Sequence, residues 1–332
     1  MKINDVRKAE VRVELDAAEG NVVVILSSLK ADAVADEYLR RQCGTGSGVC
    51  ELFLHHGSYR QWNGKYYAER SFEEIEDALR NFLSVAGVWE ESNDGKVWKS
   101  HPLASGKIAD VARMVRARLR NKGADLKTPC WHPDSVPGLI GDILGDSDRY
   151  PAPSDLLTLR NGVLNMRTRK LMPHTPELIT FNALPYDYEP AEEPVEWLKF
   201  LGSIWGDDRE SILCLQEIFG YLISGRLDLE KIFALVGKTG GGKTTILHTL
   251  SLLLGEDNVA NFSPVGLSSR FGLGQFVGKS AMILDDARFN WRDVKPELTE
   301  RLLSISGRGK LPVEKKYQDE KTAAISARIL IA

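Results

Sequence analysis

The segment that most restricts the fold is Gly237-Lys238-Thr239-Gly240-Gly241-Gly242-Lys243-Thr244, which satisfies the pattern GxxxxGK[ST]. It stands between Ile232–Val236, a short apolar run rich in β-formers, and Thr245–Leu250, which reads as helix. Strand, glycine turn and helix in that order make a βα unit of a parallel sheet. The glycines let backbone N–H groups converge on phosphate oxygens, and the following helix aims its positive end at them. Lys243 would place a point charge on the terminal phosphates, and Thr244 would offer its hydroxyl to Mg²⁺. Residues Gly237 to Thr245 are therefore the expected contacts of a nucleoside triphosphate, with ATP and Mg²⁺ as the ligand pair.

A second element sets the kind of chemistry. Ser280–Leu284 reads as a buried strand and ends in Asp285-Asp286. In an apolar strand that ends in acids, the first carboxylate holds Mg²⁺ and the next polarises the attacking water. Asp285 is the expected metal acid and Asp286 the expected general base. Paired acids favour hydrolysis over passive binding.

Composition narrows the classes. A chain of 332 residues suffices for two or three domains with their own cores. The net charge of −3 gives no overall basic field, so any contact with nucleic acid must be local. Four cysteines are too few and too scattered for a disulfide framework, which points to a reducing, cytoplasmic setting. The amino terminus is polar and lacks a signal-peptide core, and no apolar run reaches the ~18 residues of a membrane span. Cys43, Cys50, His55 and His56 are metal-ligand types, but their spacing fits no usual zinc pattern, and Cys130 and His132 lack a second pair. No zinc site is expected.

Three regions are predicted. Residues 1–48 form a small α/β segment, with a strand over Asn21–Leu26, a helix from about Lys30 to Gln42, and a glycine-rich linker over Cys43–Gly48. Residues 49–200 form an α+β domain. There Tyr59–Tyr67 has hairpin character with Asn63-Gly64 as its turn. Ser71 and Glu74 make a capping box, ahead of a helical face of Phe72, Ile75, Leu79 and Phe82. A helix from about Ser105 to Lys122 carries Arg113, Arg116 and Arg120 on one face, with Arg118 nearby, a solvated face that could also meet phosphates. Residues 201–332 hold the glycine loop and the acidic strand. The fold class read from this is α/β: a P-loop, AAA+-like ATPase core on a parallel sheet, preceded by a smaller mixed α+β region.

Further residues carry a family resemblance. Leu159–Leu171 reads as strand, turn, strand, and Trp197–Leu201 and Leu215–Leu222 as helices. Phe271–Lys279 resembles the stretch that precedes the acidic strand in the superfamily 3 helicases of phage and plasmid replication proteins and of the poxvirus helicase-primase. Ser306-Gly307-Arg308-Gly309-Lys310-Leu311-Pro312-Val313-Glu314-Lys315-Lys316-Tyr317 resembles their B′ motif, a glycine turn followed by a basic strand with an aromatic. The likeness runs from about Val49 to Ala332; it is diffuse before Leu156 and specific from Leu201 onward. It implies an ATP-dependent helicase that assembles as a homo-oligomeric, hexameric ring and pulls single-stranded DNA through its channel, with a primase or initiator as a further partner. Lys310, Lys315 and Lys316 would meet phosphates, and Tyr317 would stack or pack beside a base.

Two departures qualify that expectation. Where the family carries a lysine ahead of the B′ glycine, this chain has Leu302-Leu303-Ser304-Ile305. It also stops at Arg328–Ala332, in what reads as a core strand, before the family's sensor asparagine and the arginine that enters a neighbour's site. As a C-terminally truncated helicase, the chain is expected to bind MgATP and to turn it over poorly, since a supplied arginine is worth ~10³–10⁵ in related phosphoryl transfer. Two other classes remain on these residues alone: an ATP-binding replication or partner module without turnover, and a P-loop phosphotransferase.

Overall fold

The computed structural model describes residues 13–15, 22–43, 48–55, 57–93, 95–120, 126, 128–133, 135, 150–190, 193–224, 226–269, 272–285, 296–313 and 321–332. It is a mixed α/β structure with several sheets, one of them parallel. The described residues fall into two compact units, one drawn from residues 1–138 with 175–179 and the other from 139–174 with 180–332.

In the first unit, β1 (Val13–Leu15), β2 (Val22–Ile25), β6 (Ala86–Ser92) and β7 (Gly95–Ser100) form a sheet in that order, with β2 and β6 parallel. Crossing between those two strands takes α1 (Ala31–Gln42), a meander of β3 (Leu52–His55), β4 (Ser58–Trp62) and β5 (Tyr67–Arg70), and α2 (Phe72–Ser84). A third helix, α3 (Ser105–Leu119), follows β7, and a two-residue strand β8 (Cys130–Trp131) pairs with β12 (Leu178–Ile179). Val24, Ala86 and Val88 of the sheet, Val34 and Tyr38 of α1, Leu79 and Leu83 of α2 and Val111, Val115 and Leu119 of α3 share one core.

The capping box forms as read: the Ser71 hydroxyl accepts from the Glu74 backbone at 3.1 Å, and the Glu74 carboxylate accepts from the Ser71 backbone at 2.7 Å. The buried line of α2 is Ile75, Leu79 and Leu83, however, and Phe72 at the helix start is 36% exposed. The β4–β5 connection has four residues rather than the two of an Asn-Gly turn. The Asn63 side chain accepts from the backbones of Lys65 and Tyr66, both at 3.0 Å, and so holds the wider loop. Of the arginines on α3, Arg113 pairs with Asp110 and Arg118 with Asp36, so those two positive charges are answered within the unit.

The second unit opens with an antiparallel meander, β9 (Leu156–Leu159), β10 (Gly162–Asn165) and β11 (Lys170–Met172), one strand more than the expected strand–turn–strand. Helices α4 (Val195–Trp205) and α5 (Arg209–Ile223) lead to a parallel sheet in the order β13 (Ile232–Ala234), β18 (Arg328–Ile331), β15 (Ala281–Leu284), β14 (Val259–Asn261). Side chains alternate across it. Ala281, Ile283 and Leu330 pack with Leu201 of α4, Phe219 and Leu222 of α5, and Ile246 and Leu250 of α6 (Lys243–Leu254). Met282, Leu284 and Ile329 face the other way, toward Leu267 of α7 (Pro264–Ser268), Leu298 and Ile305 of α8 (Pro296–Ser306), and Val313 of a hairpin made by β16 (Lys310–Val313) and β17 (Lys321–Ala324). This sheet, buried on both faces, reads as continuous apolar runs for that reason.

Candidate functional site

The glycine loop follows β13 directly and ends where α6 begins at Lys243. Gly240 and Gly242 take φ of +74° and +82°, conformations that glycine enters without the steric cost other residues meet. Gly242 is restricted twice. A Cβ at that position would lie 2.7 Å from Ile204 Cδ1 and 3.1 Å from Phe200 Cζ, because α4 packs against the loop. Residues 236–240 are exposed, as are Thr244 and Thr245 in the first turn of α6. The Lys243 ammonium donates to the carbonyls of Gly237 at 3.0 Å and Lys238 at 3.2 Å, which holds it over the loop. α6 has no side-chain cap, and its buried positions Ile246, Leu247, Leu250 and Leu254 fasten the helix to the sheet. The outcome is a fixed helix whose first-turn N–H groups and positive end face solvent beside a lysine.

Parallel strands put their carboxyl ends at one edge. β13 and β15 flank β18, where Leu235 N–H donates to Ile331 O at 2.8 Å and Ala332 N–H to Leu284 O at 2.9 Å. The start of the glycine loop and Asp285, which is exposed, therefore leave the sheet at the same edge. Asp286, the expected base, lies outside the described residues. The lysine, the Thr244 hydroxyl, the exposed loop amides and Asp285 make a donor and acceptor set that fits a triphosphate with a hard divalent cation.

Of the expected DNA contacts, Lys310 heads β16, while Lys315, Lys316 and Tyr317 lie outside the described residues. The glycine turn ahead of β16 is tied elsewhere. Arg308, at φ +60°, donates from Nε to the Glu230 carboxylate at 3.1 Å. Glu230 precedes β13, so the root of the hairpin sits at the amino edge of the sheet, opposite the glycine loop. Arg328, at the start of β18, is 8% exposed and donates to Leu222 O at the end of α5. Burial lowers its pKa to about 10.

The packing of Phe200 and Ile204 on Gly242 was not read from sequence. The signal was present as the apolar spacing of Trp197, Phe200, Leu201 and Ile204, but nothing in a helical period says which turn it will cover.

Among known proteins, residues 37–206 match the family described as D5 N terminal like. Residues 235–332, which begin just ahead of the glycine loop, match a family of unknown function, DUF5906. Among solved structures the chain is similar to the NrS-1 C-terminal region. Its apo A form matches at 19% identity and a TM-score of 0.35, over 43% of this chain and 33% of that one. The apo structure of its residues 305–718 matches at 19% identity and a TM-score of 0.37, over 47% and 38%. The chain thus spans well under half the length of either. Among the described residues, no helix is long and apolar enough to cross a membrane.

Proposed function

The chain belongs to the D5 N terminal like family, and from that premise we propose that it is the nucleotide-driven part of a replicative primase-helicase, an ATP-dependent motor on single-stranded DNA of the superfamily 3 kind. One observation carries the reading: a glycine loop with its lysine folded over it shares one edge of a parallel sheet with Asp285. The sequence resemblance to phage replication proteins and to the poxvirus helicase-primase supports the same assignment.

In this proposal the loop amides of residues 237–242 and the first turn of α6 hold the phosphates of ATP. Lys243 leaves its two carbonyl partners for the terminal phosphate oxygens, a trade of neutral acceptors for charged ones that strengthens each bond. Thr244 and Asp285 would hold Mg²⁺, which when bound would draw charge from the phosphate oxygens. Asp286 orients the attacking water and takes its proton. Lys310, Lys315, Lys316 and Tyr317 meet the single-stranded DNA, and ring assembly sets one subunit's site against its neighbour.

Lys243→Ala tests the site. Equilibrium binding of MgATP is expected to fall by at least about tenfold, with the circular dichroism spectrum unchanged. Full affinity in that variant would remove the site assignment. Turnover measured with and without single-stranded DNA separates the classes: stimulation marks a motor, whereas a phosphotransferase or a passive module would ignore the strand.

A further inference from the structure

The first unit holds a cavity of about 560 Å³. It opens where the chain leaves β2 and passes through Ser27–Lys30 into α1, and the first turns of α3 and the helix-facing side of β6 and β7 complete it. The crevice at the carboxyl ends of parallel strands is where open α/β sheets take their ligands.

Three observations give its chemistry. First, α1 begins here without a side-chain cap: its N-cap is Lys30, whose own N–H goes to Ser28 Oγ at 3.1 Å, and among the described residues no side chain accepts from the amides of the first turn that follows. A helix start with free N–H groups attracts an anion. Second, the charges are sorted. The carboxylates lining the cavity are turned to other cations, Glu90 to Lys99 at 3.1 Å and Asp110 to Arg113. Lys30 and Lys107 line it with no carboxylate partner among the described residues. Third, His101 lines the cavity at 5% exposure. Its Nδ1 is 2.9 Å from the Pro102 carbonyl, which can only accept, so Nδ1 carries the proton and Nε2 is left as an acceptor. Nε2 has no partner among the described residues. Burial, aided by the Lys107 ammonium, holds the His101 pKa below the usual histidine value and keeps that acceptor neutral.

We propose that this cavity binds a nucleotide through its phosphoryl group. The free first-turn amides of α1 and the ammonium groups of Lys30 and Lys107 take the oxygens, and a ligand hydroxyl or amino group donates to His101 Nε2. A bare phosphate would leave most of 560 Å³ empty, whereas a nucleoside phosphate suits a cavity in the ~300–1,000 Å³ class of small-molecule sites. The site is independent of the triphosphate loop and does not rest on the motor assignment.

Calorimetric titration of the full chain with AMP, in EDTA, tests it, because AMP lacks the β- and γ-phosphates that the glycine loop would hold. AMP is expected to bind, and Lys30→Ala with Lys107→Ala to weaken it by at least about tenfold. The same double variant is expected to keep its MgATP affinity, which separates this cavity from the loop. Both lysines are exposed, so the fold should survive, and Lys107→Glu is an independent second variant. Parallel titrations with 5′-phosphorylated and 5′-hydroxyl oligothymidylate identify the source of the ligand. A preference for the phosphorylated strand points to a strand end, and binding of AMP alone to a free nucleotide. Unchanged AMP affinity in the lysine variants, or no AMP binding at millimolar concentration, overturns the proposal.

Discussion

Gly242→Ala is the sharpest probe of the glycine loop, because the structure assigns it two separate costs. At φ +82° an alanine pays for the left-handed region, roughly 1–2 kcal/mol. Its Cβ would also stand 2.7 Å from Ile204 Cδ1 and 3.1 Å from Phe200 Cζ. Overpacking of this sort costs about 1–3 kcal/mol; the lower half applies, since the closest atom ends a flexible side chain. The sum is about 2–4 kcal/mol, readable by urea unfolding with the fluorescence of Trp197 and Trp205 on α4 as reporters. A double-mutant cycle with Ile204→Ala divides the two. Removing the isoleucine relieves the contact and leaves the backbone strain, so a favourable coupling of about 1–2 kcal/mol is expected. MgATP affinity should fall in Gly242→Ala and stay low in the double variant, because the loop amides cannot recover their directions. An additive cycle would mean that α4 does not press on the loop, and unchanged MgATP affinity would mean that the loop is not the phosphate cradle.

Arg328 is buried with its Nε unpartnered among the described residues, and the fall of its pKa from 12.5 to about 10 corresponds to roughly 3 kcal/mol of desolvation. Arg328→Met gives up one hydrogen bond to Leu222 O but removes a buried charge, so urea unfolding should show equal or greater stability; a loss above about 2 kcal/mol would refute this account of the arginine. His101 has a pKa below that of the unfolded chain, so the unfolded state binds the extra proton, and stability should decline as the pH falls through the ordinary histidine value of ~6.5. The slope there should flatten in His101→Gln; an unchanged slope would place the titration on another group.

The most legible features were those whose cause is local. A run of fixed glycines, a lysine and a threonine between a β-rich run and a helical run can hardly be placed anywhere but at a strand–helix turn, and the loop lies there. The Ser71–Glu74 box reads from two residues three apart and forms with both its hydrogen bonds. Misreadings began where the answer depended on distant partners. Phe72 was as apolar as Leu83, yet Phe72 is exposed while Phe82 and Leu83 pack on the core, because the elements packed against α2 decide which side is covered. Gly242 is fixed by α4, and the cavity of the first unit joins Lys30 to Lys107, positions that no short pattern connects. Asn63-Gly64 pointed to a two-residue turn, yet the Asn63 side chain satisfies two later amides and stabilises a wider one.

The sheet order also suggests how the two ends of the proposed motor communicate. The hairpin strand β17 ends at Ala324, and after three intervening residues β18 begins at Arg328 as the central strand between the loop strand β13 and the acid strand β15. Ile325 and Ala327 in that connection are 1% and 4% exposed, so it is anchored in the core rather than slack. A pull on the hairpin would reach β18 first, and the far end of β18 is bonded on one side to Leu235 and on the other to Leu284, the residue before Asp285. Strand ladders do not stretch: a shift must either move the nucleotide edge or break bonds worth about 1 kcal/mol each. Two glycines inserted after the exposed Ser326 would put slack into this link and leave the loop, Lys243 and Asp285 untouched. In a protein whose turnover responds to single-stranded DNA, the insertion should preserve MgATP binding and the basal rate while abolishing most of the stimulation. Stimulation that survives undiminished would show that the hairpin signals by a route other than β18.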